Sequence, residues 1–333
     1  MASSTSELAD GMRQPAESSA WSVSNWMPII LSVAALIWFY GIEARFGPDR
    51  QQSALGWLVS AWNPETDYEH GLLFPFVIAG LIIYRFKDLK AAASDGSLWG
   101  IAAILIGAML YAASYRTLQP RIAAGGLPFL LWGAALYLYG WHVAKLLMFP
   151  LFFFWLAVPL PSFQQATVHL QIIATQMTNS LCGLIGVETY YQGTEIYSKT
   201  GNWKPLSIAG GCSGIRSLMA LLMISATWAY VAKIALWKKA LLFLSAVPLA
   251  ILGNVLRVTS IFVIAEHGDE TWARETWHDW SGLLLFYPIS LFMLLMLHSV
   301  LEGGFPWSKG KRRELRQIKV TRADTTNTSN TAP

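Results

Sequence analysis

The chain reads as an all-α polytopic membrane protein, with about eight transmembrane helices and an outer cap made of an amphipathic helix and short hairpin-like strands. Three observations predict this. Hydrophobic residues make up 54% of the 333 residues and charged residues only 13%, where a soluble domain carries about 25% charged. The apolar residues gather into repeated runs close to the ~20 residues that cross a bilayer. One long polar stretch, Gln164–Gly211, interrupts those runs.

Taken in order, residues 1–26 are polar and Ser-rich, without a basic n-region or cleavage site. They read as a short disordered cytoplasmic tail and not as a cleaved signal peptide. The membrane domain, residues 27–301, holds apolar runs at Met27–Gly41, Gly71–Tyr84, Leu98–Ala113, Ile122–Gly140, Leu146–Pro159, Gly214–Ala232, Ala240–Ala265 and Trp280–Leu301. Some are shorter than a full span, so their ends extend into flanking sequence or their tilts differ. Pro159 and Pro161 bend or stop the fifth run. Residues 302–333 form a basic cytoplasmic tail that becomes Thr/Asn-rich.

The polar stretch, about residues 164–211, is too long for an idle loop. From Gln164 to Gly186, Val168, Ile172, Ile173, Met177 and Leu181 recur at helical spacing among Gln165, His169, Gln176 and Asn179. That pattern predicts an amphipathic helix lying in the interface. Val187–Gly211 carries Tyr190, Tyr191, Ile196, Tyr197 and Trp203 with Gly193 and Gly201, which predicts one or two short hairpin strands.

Orientation follows from the placement of Lys and Arg. Loops on one side carry fifteen of them and loops on the other carry seven, with Arg216 and Arg257 inside spans. The positive-inside rule then places both termini in the cytoplasm and the cap outside. The basic residues flank apolar segments and form no stripe, which argues against nucleic-acid binding. The chain has no His-Glu-x-x-His, Cys-x-x-Cys or phosphate-cradling loop, so no metal and no cofactor is expected.

Cys212 stands in Gly210-Gly211-Cys212-Ser213-Gly214-Ile215-Arg216 at the outer start of the sixth run. A thiol at a helix N-terminus is favoured as the thiolate by free N–H groups and the helix dipole. Arg257 lies eight residues before Ala265, roughly 12 Å in from the outer end of the seventh run. His278 opens the eighth run from the same side. A thiol, a guanidinium and an imidazole thus approach one face from three consecutive helices. The set suits acyl transfer: thiolate attack on a peptide carbonyl, a proton for the leaving amine from His278, and Arg257 on the oxyanion or a substrate carboxylate. Ser213 offers a backbone N–H, Arg216 sits one turn below the thiol, Asn254 shares a helical face with Arg257, and His70 opens the second run. Asp279 adjoins His278 in sequence, and adjacent residues rarely face each other, so it is not expected to orient the imidazole.

Each residue also has a bland reading. Cys212 can be a small core residue, Arg257 can pair with carbonyls or snorkel, and His278 and His70 can decorate the interface. His267, after Glu266, is a rival base or a solvated helix end; Cys182 reads as structural. A transporter or a scaffold for surface-polymer export is the alternative function. Such a transporter usually shows repeat symmetry, and none is visible in the sequence.

The cysteine segment Ala209–Leu218 resembles the active-site segment of the exosortase/archaeosortase family. Three further segments match in order: Tyr68-Glu69-His70-Gly71 to Arg85, Pro248 to Asn254-Val255-Leu256-Arg257, and Trp277-His278-Asp279 to Gly282. The resemblance covers about Tyr68 to Leu301. It implies an integral-membrane cysteine transpeptidase of the bacterial inner membrane, with Cys212, Arg257 and His278 as its catalytic residues. It also implies its partners: secreted proteins ending in a short motif of the Pro-Glu-Pro kind, a transmembrane helix and a basic cluster, recognised within the lipid bilayer.

Overall fold

The computed structural model describes residues 23–47, 49–161, 168–207 and 215–303. The remainder of both tails, with Gln165 of the cap, lies outside the described residues. The first helix, α1 (Val23–Leu36), already begins within the segment expected to be a disordered tail, and it continues as a π turn over Ile37–Ile42. A short helix α2 (Ala54–Ser60) follows, opened by Ser53, whose Oγ accepts from Gly56 N at 3.0 Å. Next come a 3-10 turn over Glu69–Leu73, α3 (Phe74–Tyr84), α4 (Phe86–Ala92), α5 (Trp99–Thr117) and α6 (Pro120–Phe152). The cap contributes α7 (Val168–Leu184) and strands β1 (Thr189–Gln192), β2 (Glu195–Ser198) and β3 (Leu206–Ser207). The chain then runs through α8 (Ile215–Val231), α9 (Leu236–Leu244), α10 (Ala246–His267) and α11 (Trp272–Leu301).

Among the described residues, four helical stretches are long and apolar enough to cross a membrane: Trp99–Thr117, Pro120–Ala157, Leu236–His267 and Trp272–Leu301. Three more apolar helices, Ile29–Ile42, Glu69–Tyr84 and Arg216–Val231, are shorter. The chain is a helical membrane protein, but the eight separate spans read from the sequence are met only in part. The fourth and fifth apolar runs both fall in Pro120–Ala157. That stretch is no straight rod. Phe129 and Phe152 have ring centroids 5.0 Å apart, whereas 23 residues of straight helix would separate them by about 35 Å. Trp132 Nε1 also donates to Ala144 O at 2.7 Å, and Trp155 Nε1 to Gly125 O at 3.0 Å. The chain therefore doubles back at Gly140, whose φ of 79° suits glycine and whose backbone touches Ser94 and Asp95 so closely that a Cβ would stand 2.5 Å from them.

Helix α5 packs on the first limb of α6 through small residues. A Cβ on Gly100 would come within 2.5 Å of Gly133 O, and one on Gly107 within 2.9 Å of Gly126 O. Close backbone approach of this kind replaces the hydrophobic driving force that lipid does not supply.

Helix ends sort into two groups. At one end, Arg85 lies over the Tyr230 ring at 5.4 Å, Tyr230 Oη donates to Leu146 O at 3.2 Å, and Lys239 Nζ donates to Tyr230 O at 3.2 Å. These are loops of the Lys/Arg-rich side. At the other end, Trp62 Nε1 donates to Ala157 O at 2.8 Å and Arg216 Nη2 to Pro64 O at 3.2 Å.

The cap is a three-stranded antiparallel sheet in the order β1-β2-β3, one strand more than a single hairpin. Its helix departs further from expectation. α7 turns Gln171, Thr175 and Thr178 into the protein and exposes Ile173, Met177 and Leu184. It runs lengthwise along α10: Leu170 packs on the cluster of Ala250 and Phe286, and Cys182 on that of Val258 and Phe262. Buried hydroxyl and amide groups join membrane helices where apolar pairs gain nothing over lipid. Of the polar residues that suggested a water-facing side, His169 and Gln176 are exposed, and Asn179 is half-buried with its Oδ1 accepting from Thr189 Oγ1 at 2.9 Å.

Helix α11 exposes Trp272, Trp280, Leu283, Leu284, Leu291, Phe292, Leu295 and Val300 along its length. Glu266 of α10 and Arg274 of α11 hold the cap through Asn202 and Lys204.

Candidate active site

Arg257 is the centre of the described site. It is 9% exposed, on the face of α10 that meets the first turns of α11. Its Nη2 donates to His278 O at 2.8 Å and its Nε to Ser281 Oγ at 3.1 Å. Ser281 Oγ in turn donates to His278 O at 2.9 Å. A buried guanidinium needs such partners, because an unpaired charge at that depth is costly. Two of its five N–H groups are engaged here, and the planar fork leaves the others for an incoming oxygen. A second rung joins the same helices: Trp277 Nε1 donates to Ser260 Oγ at 2.8 Å, and Ser260 Oγ to Arg257 O at 2.6 Å.

π turns over Trp272–Trp277 and Gly282–Phe286 bracket the turn His278–Ser281. Each inserts a residue into the helical repeat and re-aims the side chains that follow.

His278 Nδ1 lies 3.0 Å from Asp279 Oδ1, so the expectation that these neighbours would not meet is overturned. A carboxylate on Nδ1 favours the Nδ1–H tautomer and leaves Nε2 as the basic nitrogen. His278 lines a cavity of about 470 Å³ with Lys204, Leu206, Ser207, Glu270, Thr271, Arg274 and Glu275. The rival, His267, ends α10 ten residues beyond Arg257, about 15 Å along the helix. It belongs to the cap anchorage.

Arg216, in the first turn of α8, is taken up by the loop before α3. Its Nε lies 3.1 Å from Glu69 Oε1, an ion pair without hydrogen-bond angles, and its Nη2 3.7 Å from Asp67 Oδ1. The expected role beside a thiolate thus has two carboxylates as competitors. Leu218 and Leu221 of α8 pack in one cluster with Ala250 of α10 and Phe286 of α11, with Tyr287 against it, so α8 lies beside the two helices that meet at Arg257. Asn254 is buried one turn from Arg257 on α10. His70 is buried in the 3-10 turn next to Glu69, not at a decorated interface. Cys212 and Ser213 lie outside the described residues. Cys182 is buried and free, packed with Val187, Ile196 and Trp203, as a structural cysteine would be.

Sequence reasoning missed five participants. Ser281 had a signal, since it follows His278 by three residues and so shares its helical face. The pairing of Asp67 and Glu69 with Arg216 had none, because 147 to 149 positions separate them in the chain. Tyr287 is hidden in an apolar run. Glu266 was read as a solvated helix end, yet its carboxylate accepts from Thr200 Oγ1 at 3.0 Å, Asn202 Nδ2 at 2.8 Å and Trp203 Nε1 at 2.8 Å. With Arg274 donating to Lys204 O at 2.7 Å, it fastens the β2–β3 connection over the site.

Fold and site together define a polytopic helical membrane protein in which a buried arginine meets an imidazole-bearing turn. The model of the transmembrane exosortase family (Exosortase_EpsH) matches residues 62–296, more than half of the chain, and the chain belongs to that family. No curated protein and no solved structure is matched.

Proposed function

We propose that this exosortase-family protein is a membrane cysteine peptidase or transpeptidase that cleaves C-terminal sorting signals of secreted proteins. The observation that carries the reading is the fork from Arg257 to His278 O and Ser281 Oγ, beside the cavity that His278 lines. It holds a cation and an imidazole together, the pair that acyl transfer at a peptide bond uses. Family membership supports the class of reaction.

In the proposed reaction the Cys212 thiolate attacks the scissile carbonyl, forming a C–S bond. Arg257 stabilises the oxyanion through its remaining N–H groups. Collapse of the tetrahedral intermediate breaks the C–N bond, and His278 delivers a proton to the departing amine. An amine or water then attacks the thioester and restores the thiol. The chain on either side of the cysteine segment supports this assignment: Ser207 lines the His278 cavity, and α8 packs against α10 and α11 through Leu218 and Leu221. The substrates are proteins with a short motif of the Pro-Glu-Pro type, an apolar helix and a basic cluster. The enzyme lies in the bacterial inner membrane with both termini cytoplasmic and the site outward. Lysine and arginine placement supports that orientation.

The test is cleavage of a helix-tailed peptide of this design by protein in lipid nanodiscs. The wild type releases the C-terminal fragment and Cys212→Ala does not. Equal release by both proteins would overturn the reading.

A further inference from the structure

Among the groups the reaction above leaves unused, His70 stands out. It is only 6% exposed, yet neither ring nitrogen has a hydrogen-bond partner. Nearly all buried polar groups in folded proteins are paired, and an unmet one is destabilising. For packing alone, between the rings of Tyr68 and Phe74 at 5.5 and 6.0 Å, phenylalanine would serve better.

Its position is fixed rather than incidental. Gly71 follows it, and a Cβ there would stand 2.1 Å from Trp62 Cδ1; Trp62 is itself held by its bond to Ala157 O. On the other side, the ion pairs of Arg216 with Asp67 and Glu69 tie this turn to the start of α8. Arg216 stands four residues after Cys212, and α8 packs on α10 and α11 through Leu218 and Leu221, so the turn bearing His70 is tied to the helix that follows the cysteine. A rigid, preorganised imidazole is what a binding contact requires.

We propose that His70 is a second substrate contact, a neutral imidazole that pairs with a peptide group of the bound substrate. This rests on the peptidase reading. A neutral imidazole offers one N–H donor and one nitrogen acceptor, and a peptide group offers the complementary C=O and N–H. His278, paired with Asp279, handles the proton; His70 holds the substrate backbone. Substrate binding then satisfies atoms that the free protein leaves unmet.

The experiment compares wild type, His70→Phe and His70→Gln in nanodiscs with the helix-tailed peptide, measuring melting temperature, KM and kcat. His70→Phe is expected to melt no lower than wild type, while kcat/KM falls roughly 10- to 100-fold, the usual cost of one lost hydrogen bond to a bound substrate. His70→Gln, which keeps a donor and an acceptor, is expected to recover part of that loss. Binding of the same peptide to Cys212→Ala is expected to weaken when His70→Phe is added. Should His70→Phe fail to fold, His70→Leu takes its place in the comparison. A folded apolar variant that cleaves within twofold of wild type overturns the proposal and leaves the peptidase reading standing. A lowered melting temperature with kcat and KM unchanged also overturns it, because that is the mark of a packing role. A wild type that never cleaves overturns both.

Discussion

Replacing Arg257 by lysine tests whether the guanidinium acts through its shape or only through its charge. In the structure the fork makes two bonds at once, to His278 O at 2.8 Å and Ser281 Oγ at 3.1 Å. An ammonium is a point donor on a shorter reach and can replace one of them. A hydrogen bond to a charged group contributes about 1.5–3 kcal/mol. Losing one therefore costs roughly 10- to 150-fold if the bond holds the turn His278–Ser281 in its reactive position. Single-turnover formation of the thioester is the proper assay, since product release does not enter it. Ser281→Ala is the companion variant. It keeps the cation but leaves Arg257 Nε without its acceptor, and a loss of similar size is expected, with the two effects well below additive in the double variant. An Arg257→Lys protein within threefold of wild type would refute the argument that geometry matters here.

Other outcomes follow from the same contacts. Glu266→Ala removes three hydrogen bonds from the β2–β3 connection. They are partly solvated, so about 2 kcal/mol is lost in all, and amide exchange across residues 199–204 should quicken by roughly 30-fold; unchanged exchange would mean that the strands hold the cap unaided. Gly71→Ala places a methyl group 2.1 Å from the immobile Trp62 ring. Overpacking of this severity costs about 3 kcal/mol or more, which should appear as lost folded yield or a sharply lower melting temperature. A membrane-impermeant maleimide is expected to label Cys212 from the outer side of spheroplasts; labelling from the cytoplasmic side alone would invert the orientation proposed from lysine and arginine placement.

The sequence revealed the apolar runs, because a lipid solvent demands them, and their described parts are mostly helical. Its separation of the fourth and fifth runs is met at Gly140, where Pro120–Ala157 doubles back; the tightness of that turn was hidden, since it depends on the φ of Gly140 and its contact with Ser94 and Asp95. Amphipathicity located α7, but not the burial of Gln171 and Thr175, groups as ready to face a membrane helix as water. Arg257 and His278 were legible as polar residues in apolar segments; the bonds of Arg257 to His278 O and Ser281 Oγ were not, because a backbone acceptor and a serine carry no charge signal. The pairing of Asp279 with His278 was likewise hidden, because neighbours in a helix ordinarily point apart.

The central claim is that Cys212 forms a thioester with the substrate. The most direct measurement is intact-protein mass spectrometry after brief incubation with a helix-tailed sorting-signal peptide and acid quench. The account predicts an adduct equal in mass to the N-terminal fragment, located on Cys212, lost with hydroxylamine and absent from Cys212→Ala. A peptide cleaved without any such adduct, or an adduct that persists in Cys212→Ala, would contradict it.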